Sequence, residues 1–107
     1  MGQKVLVVGG GMVGCEAAEY LAERGHEAAV IEMKDVIAAD VTPENRRYMF
    51  ANFEEHHVLL RPSAKVSQFY PDGVDYTLAD GTAGSLRGYD NVVLAMGSRS
   101  NAVLKET

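Results

Sequence analysis

Six residues near the amino terminus, Gly9-Gly10-Gly11-Met12-Val13-Gly14, carry the pattern G-x-G-x-x-G between a short β-branched run and a helical one. Glycine weakens the interior of either element, so bare backbone at this corner answers a local demand. Gly9 permits a tight turn, Gly11 lets a diphosphate approach the main chain, and Gly14 lets helix and strand pack closely. The free N–H groups of the first helical turn, aided by the helix dipole, favour an anion at that point. The pattern continues through Ala18 and Gly25 to Glu32, a carboxylate at the end of the second apolar run. That is the place, about 20 residues downstream, where a dinucleotide fingerprint carries its acid. A carboxylate there accepts hydrogen bonds from both hydroxyls of an adenosine ribose and repels a 2′-phosphate, which favours NAD(H) over NADP(H). Lys34 weakens that preference. The competing explanation for the glycines is a sharp turn that holds no ligand.

Other reactive side chains read more plainly. Cys15 is the single cysteine, so it forms neither an internal disulfide nor a CxxC pair. Following Gly14 on a helix that packs on a sheet, it reads as a small buried residue. Glu16 suits the helix dipole whether or not it has a further task. His56 and His57 close a helix, and no Cys or further His at ligand spacing accompanies them, so no metal site is expected. His26 reads as a solvated turn residue beyond a helix-ending glycine. Met12, Met33, Met49 and Met96 read as core or cleft filler. No acid–base pair is apparent, and no catalytic residue is assigned.

The elements that must position these residues follow from hydrophobic period. Residues 4–8 form a strand, and residues 12–24 a helix whose apolar stripe is Val13, Ala17, Tyr20 and Leu21. Gly25 stops that helix, and residues 28–33 make a second strand, parallel to the first and beside it because such crossovers are right-handed. Residues 35–41 read as a loop. Thr42-Pro43-Glu44 supply an N-cap and a proline at the first helical position, opening a helix that runs to about His57. Met49 and Phe53 face the core from it, while Arg46, Arg47, Glu54 and Glu55 face water. Residues 58–60 give a third strand. Residues 65–70, 74–78 and 83–87 are then separated by Asp72-Gly73 and Asp80-Gly81, two hairpin signals. Residues 91–96, NVVLAM, form a buried strand that ends at Gly97. The fold class is therefore α/β, a Rossmann-like dinucleotide-binding domain with a central parallel sheet, helices and an antiparallel three-stranded β-meander.

Composition sets the outer limits. With 107 residues, 47% of them hydrophobic, the chain suits one domain with a modest core. Fifteen acidic against ten basic residues give a net charge of −5, which argues against nucleic acid as a partner. No apolar run approaches the ~20 residues that cross a bilayer, and Met1-Gly2-Gln3-Lys4 leads into a strand without signal-peptide character. The expectation is a cytoplasmic protein with no membrane partner.

GGGMVGCEAAEYLAERGHEAAVIEM, the second-helix region, the meander and YDNVVLAMGSRSN together resemble a known domain. It is the NAD(P)H-binding domain of the two-dinucleotide-domain flavoprotein reductases, the pyridine nucleotide-disulfide reductase-like superfamily. Within it the chain is most similar to the NADH:flavin oxidoreductase branch of 2,4-dienoyl-CoA reductase and trimethylamine dehydrogenase. The resemblance covers nearly the whole chain. It implies that residues 1–107 are a single NAD(H)-binding domain from a larger flavoprotein oxidoreductase, with the flavin-binding domain of that parent as partner. It further implies that the nicotinamide is presented there for hydride transfer to a flavin. FAD, FMN and an iron–sulfur cluster would belong to the parent, and this chain alone would bind without turnover. Met-Gly ahead of a domain that starts almost at once favours the same view.

Carried over where residues match, Gly9, Gly10, Gly11 and Gly14 form the phosphate loop, and Met12 and Val13 offer it backbone N–H groups. Glu32, with Met33 beside it, takes the ribose. Val66 stands where the family contacts adenine through backbone, and Ala95, Met96 and Gly97 match the A-x-G segment beside the dinucleotide. Glu16 matches a glutamate that points towards the nicotinamide in many relatives. Arg99-Ser100-Asn101 departs from the family's R-P-N, which loosens the exit loop; Arg99 itself suits a phosphate, a partner domain or solvent. A regulatory NAD-sensing module and an FAD-binding domain share the opening fingerprint. The first continues with more β-α units and the second usually carries long insertions, so the two Asp-Gly hairpins and the early final strand favour the reductase domain.

Overall fold

The computed structural model describes residues 3–95; Met96, Gly97 and Arg99-Ser100-Asn101 lie outside the described residues. Lys4–Val8 forms β1, Met12–Glu23 forms α1 and Glu27–Ile31 forms β2. Pro43–Glu55 forms α2 and Leu59–Arg61 forms β3. Ala64–Tyr70 (β4), Gly73–Leu78 (β5) and Ala83–Leu86 (β6) make the meander, and Asn91–Leu94 forms β7. Four strands build a parallel sheet in the order β3-β2-β1-β7, and β4-β5-β6 build an antiparallel one.

After their first residues, Lys4 and Glu27, the central strands β1 and β2 are apolar and buried because both of their faces are covered. Val5, Val7, Ala28 and Val30 project to one side, into a core shared with Cys15, Ala18, Met49 and Phe53 of the two helices. Their neighbours Leu6, Val8, Ala29 and Ile31 project to the other, against Ala64, Val74 and Tyr76 of the meander. The period of two thus sorts one set of side chains to the helices and the alternate set to the second sheet.

Helix α1 buries a different stripe from the one its large apolar residues mark. Gly14, Cys15, Ala18 and Ala22 face the sheet, whereas Val13 and Tyr20 are 54% and 55% exposed, and Ala17 and Leu21 are half-buried. Close approach of helix to strand selects small residues, so size rather than hydrophobicity decides the inward face. Tyr20 instead stacks beneath the Arg24 guanidinium, 3.7 Å from its ring centre. The helix ends in a Schellman motif, His26 N–H to Leu21 carbonyl (3.0 Å) and Gly25 N–H to Ala22 carbonyl (3.1 Å), with Gly25 at φ +87°. His26 is more than a solvated turn residue: its Nδ1 accepts from the Gln3 N–H at 3.1 Å.

Helix α2 begins as its residues require, with Pro43 at the first turn and Thr42 Oγ1 accepting from the Asn45 N–H. Met49 and Phe53 are buried. Asn52 Nδ2 donates to Glu19 at 2.7 Å and Glu23 at 2.8 Å, tying the two helices together. In the meander, Asp80-Gly81 forms a turn with Gly81 at φ +93°. Gly73 opens β5 and is buried rather than sitting in the turn; a β-carbon there would lie 1.8 Å from the Leu86 carbonyl oxygen. Asp72 turns to the far end of the meander, accepting from Arg87 Nε at 2.8 Å and Gly88 N–H at 3.1 Å.

Candidate functional site: the cleft at the carboxyl ends of the parallel strands

β2 lies on one side of β1 and β7 on the other, so the turn out of β1 stands where the strand order reverses. In open α/β sheets that is where a crevice forms for a ligand. Three glycines span the gap between Val8 and Met12. Gly9 has φ +116°, which L side chains rarely adopt. A β-carbon on Gly14 would stand 1.8 Å from the Gly9 carbonyl oxygen, so strand end and helix start touch main chain to main chain. On Gly10 it would meet the Glu32 β-carbon at 3.0 Å and Val30 Cγ1 at 3.3 Å. Gly11 differs. Its φ of −80° and ψ of −167° are extended backbone open to any residue. A β-carbon there would face only the Asp40 carboxylate, at 3.4 Å from the nearer oxygen.

Helix α1 starts with no capping side chain of its own N-cap residue and no acid in its first turn. Glu16 lies just beyond that turn and is exposed. Of the leading amides, that of Met12 donates to Asp40 Oδ1 at 2.8 Å. Among the described residues those of Gly11 and Val13 have no acceptor. Such amides at a helix start attract an anion.

Glu32 is the first residue beyond β2 rather than its last, because β2 stops at Ile31. Its backbone links the two sheets, N–H to the Arg61 carbonyl and carbonyl to the Ala64 N–H, both at 2.9 Å. Its side chain closes the corner: Oε1 accepts from the Gly10 N–H at 2.6 Å and Oε2 from the Lys34 N–H at 2.8 Å. An ionised carboxylate has about four lone-pair sites, so about two remain for hydroxyl donors.

These parts line one cleft of 680 Å³, within the roughly 300–1,000 Å³ typical of small-molecule sites. Gly9, Gly10, Gly11, Met12 and Val13 line it, as do Glu32, Met33, Val66 and Ala95. Gly14 does not; it is buried behind the loop, where it sets the helix against the strand. Met96 and Gly97 lie outside the described residues. Lys65 and Phe69 of β4 and Val36, Ala39 and Asp40 of the loop after β2 also line the cleft. Sequence reasoning missed them. The signal for Asp40 was its connection, since a loop from the carboxyl end of β2 to a helix must cross that end of the sheet.

Cys15 is fully buried, its Sγ donating to the Gly10 carbonyl at 3.4 Å. Burial, and then the nearby Asp40 and Glu32 carboxylates, push its thiol up to about 12. It is no nucleophile at neutral pH. Among the described residues no three His, Cys, Asp or Glu side chains are grouped to hold a metal ion, and no helix is long and apolar enough to cross a membrane.

A parallel sheet with a glycine corner at its point of strand reversal, and a second antiparallel sheet behind it, define a Rossmann-like α/β domain of the dinucleotide-binding class. Residues 1–107 match the family model for pyridine nucleotide-disulphide oxidoreductases, and the chain belongs to that family. An NADH oxidase of Thermoanaerobacter brockii is 38% identical over 95 residues, 89% of this chain and 14% of that protein. A bilirubin reductase of Mediterraneibacter gnavus is 39% identical over 98 residues, 92% of this chain and 15% of that protein. A solved 2-naphthoyl-CoA reductase in complex with 2-naphthoyl-CoA matches with a TM-score of 0.83 at 30% identity, over 91% of this chain and 14% of that one. The chain thus spans a small part of the proteins it resembles. The family is one of oxidoreductases that bind NAD(H) and flavin.

Proposed function

We propose that this chain binds NAD(H) across the cleft, its diphosphate on the amides of Gly11, Met12 and Val13 and its adenosine ribose on Glu32. Gly11 is the observation that carries the reading. The fold accounts for glycine at position 9 by its positive φ and at 14 by a main-chain contact, and it crowds a β-carbon at 10. At Gly11 neither the backbone angles nor the neighbours call for glycine, and a ligand pressed against the chain supplies the missing reason. Glu32, already holding two amides, offers its remaining lone pairs to two ribose hydroxyls and opposes a 2′-phosphate. Val66 lies under the adenine, and Ala95 lies beside the nicotinamide end.

The nicotinamide supplies hydride chemistry when bound. The chain's own residues bind and orient, and the flavin-binding domain of a longer parent is the partner. Relatives named NADH oxidase and bilirubin reductase, and the likeness to a naphthoyl-CoA reductase, support an NADH:flavin oxidoreductase of the dienoyl-CoA reductase kind, with flavin and any iron–sulfur cluster elsewhere in the parent. Titration calorimetry with NADH, NADPH and FAD tests the reading: NADH is expected to bind most tightly, and failure of all three overturns it. Glu32→Ala is expected to weaken NADH about tenfold, as loss of charge-assisted hydrogen bonds does, and to weaken NADPH less. The ratio of the two is the readout, because a loosened loop would weaken both alike. An unchanged ratio removes Glu32 from the ribose.

A further inference from the structure

The loop that carries Asp40 is fastened down on both sides of it. Ala38 donates its N–H to the Gly10 carbonyl at 2.6 Å, and Val41 donates to the Ala38 carbonyl at 3.1 Å. Ile37, Ala38 and Val41 are buried in the helix-side core. Ala38 holds φ +63°, a bend that a chain keeps only where its surroundings impose it. The Asp40 side chain, by contrast, is exposed. It reaches back to the glycine corner, takes the Met12 N–H on Oδ1, and lays both carboxylate oxygens 3.4 and 3.5 Å from where a Gly11 β-carbon would be.

We propose that Asp40 is an internal anion that occupies the diphosphate position of the free protein and must rotate aside before a dinucleotide seats, an inference that rests on the reading above. The Met12 amide cannot serve a carboxylate and a phosphate oxygen fully at once, and two anions at that separation repel. Because the backbone on either side is anchored, the movement is a side-chain rotation about the Asp40 Cα–Cβ bond, not the opening of a lid. The cost falls only on ligands that bring negative charge to the corner. Asp40 thereby lowers affinity for the dinucleotide and keeps stray phosphate compounds out of the cleft.

Asp40→Asn keeps an oxygen acceptor for Met12 and removes the charge; Asp40→Ala removes both. Dissociation constants of the full chain for NADH, inorganic pyrophosphate and adenosine are measured for the wild type and both variants, with the Met12 amide followed by NMR. NADH and pyrophosphate are expected to bind both variants about tenfold more tightly, with adenosine unchanged and the Met12 resonance shifting when NADH binds the wild type. Unchanged binding in Asp40→Asn with weaker binding in Asp40→Ala marks Asp40 as a structural cap and overturns the proposal, as does an equal gain for adenosine. If NADH binds none of the three proteins but pyrophosphate still gains tenfold in the variants, the blocking role of Asp40 stands and the dinucleotide reading falls. If NADH binds the wild type and neither anion gains in the variants, the dinucleotide reading stands and Asp40 is no gate.

Discussion

A methyl group on Gly14 has nowhere to go, since it would overlap the Gly9 carbonyl oxygen, while one on Gly11 would meet only an exposed carboxylate. The two substitutions should therefore separate folding from binding. Gly14→Ala is expected to lose about 3 kcal/mol of stability by overpacking. Gly11→Ala, a change at an N-cap, should lose under about 1 kcal/mol yet weaken NADH at least about tenfold. Thermal melts and calorimetry on the same samples read both; a Gly11→Ala protein that binds NADH normally removes the ligand from that glycine. The fingerprint and its acid were legible in the sequence because their spacing is a local property of one β-α-β unit. Asp40 was not, since its role depends on how residues 35–41 fold back over the corner, and nothing in their composition states that path.

Among the elements, α2 was legible and α1 only in part. Thr42, Pro43, Met49 and Phe53 each report one thing, a start or a buried face, and all four agree with the helix that forms. In α1 the large side chains at 13 and 20 drew the stripe to the wrong side, because apolar periodicity weighs size as if it were burial. The buried positions are those where little room remains, as Ala18 shows at 0% exposure. Ala18→Leu should accordingly cost about 1–3 kcal/mol, whereas Tyr20→Ala, which gives up an exposed stack on Arg24, should cost under about 1 kcal/mol. Chemical denaturation of the two variants checks the assignment, and a reversed order would restore the apolar stripe as the core face. The strand limits drifted by one or two residues, as at β2, which ends at Ile31 although the sequence reads as strand to Met33.

For the molecule as a whole, a sheet covered on both faces explains why a chain of net charge −5 buries no charged side chain among the described residues. It also sets the response to alkali. The Cys15 thiol keeps its proton up to about 12 in the folded chain, while its ordinary value is 9.0. Above pH 9 the unfolded chain therefore binds fewer protons than the folded one, and stability falls by about 1.4 kcal/mol per pH unit until the folded thiol also ionises. Burial shifts Tyr89 upward as well and adds to the loss at higher pH. Urea denaturation between pH 8 and 10 should show the decline from Cys15, and Cys15→Ala should flatten it; equal slopes in the two proteins would mean the thiol is not so shielded. The layered architecture was only partly legible, because the meander and the α/β units were each visible but which face of the sheet each covers is settled by packing across long separations.

The partner on the second side of β1 has a consequence in time. Val5 aligns with Asn91 and Val8 with Leu94, so during synthesis an early strand waits, one side bare, until nearly ninety further residues have been joined. Its unpaired amides and carbonyls stay open to strands of other nascent chains for that interval. Ala95, which extends the pairing by donating to the Val8 carbonyl at 2.8 Å, also lines the cleft. Cover for the bare side of the first strand and the wall of the cleft thus arrive at the same moment of translation.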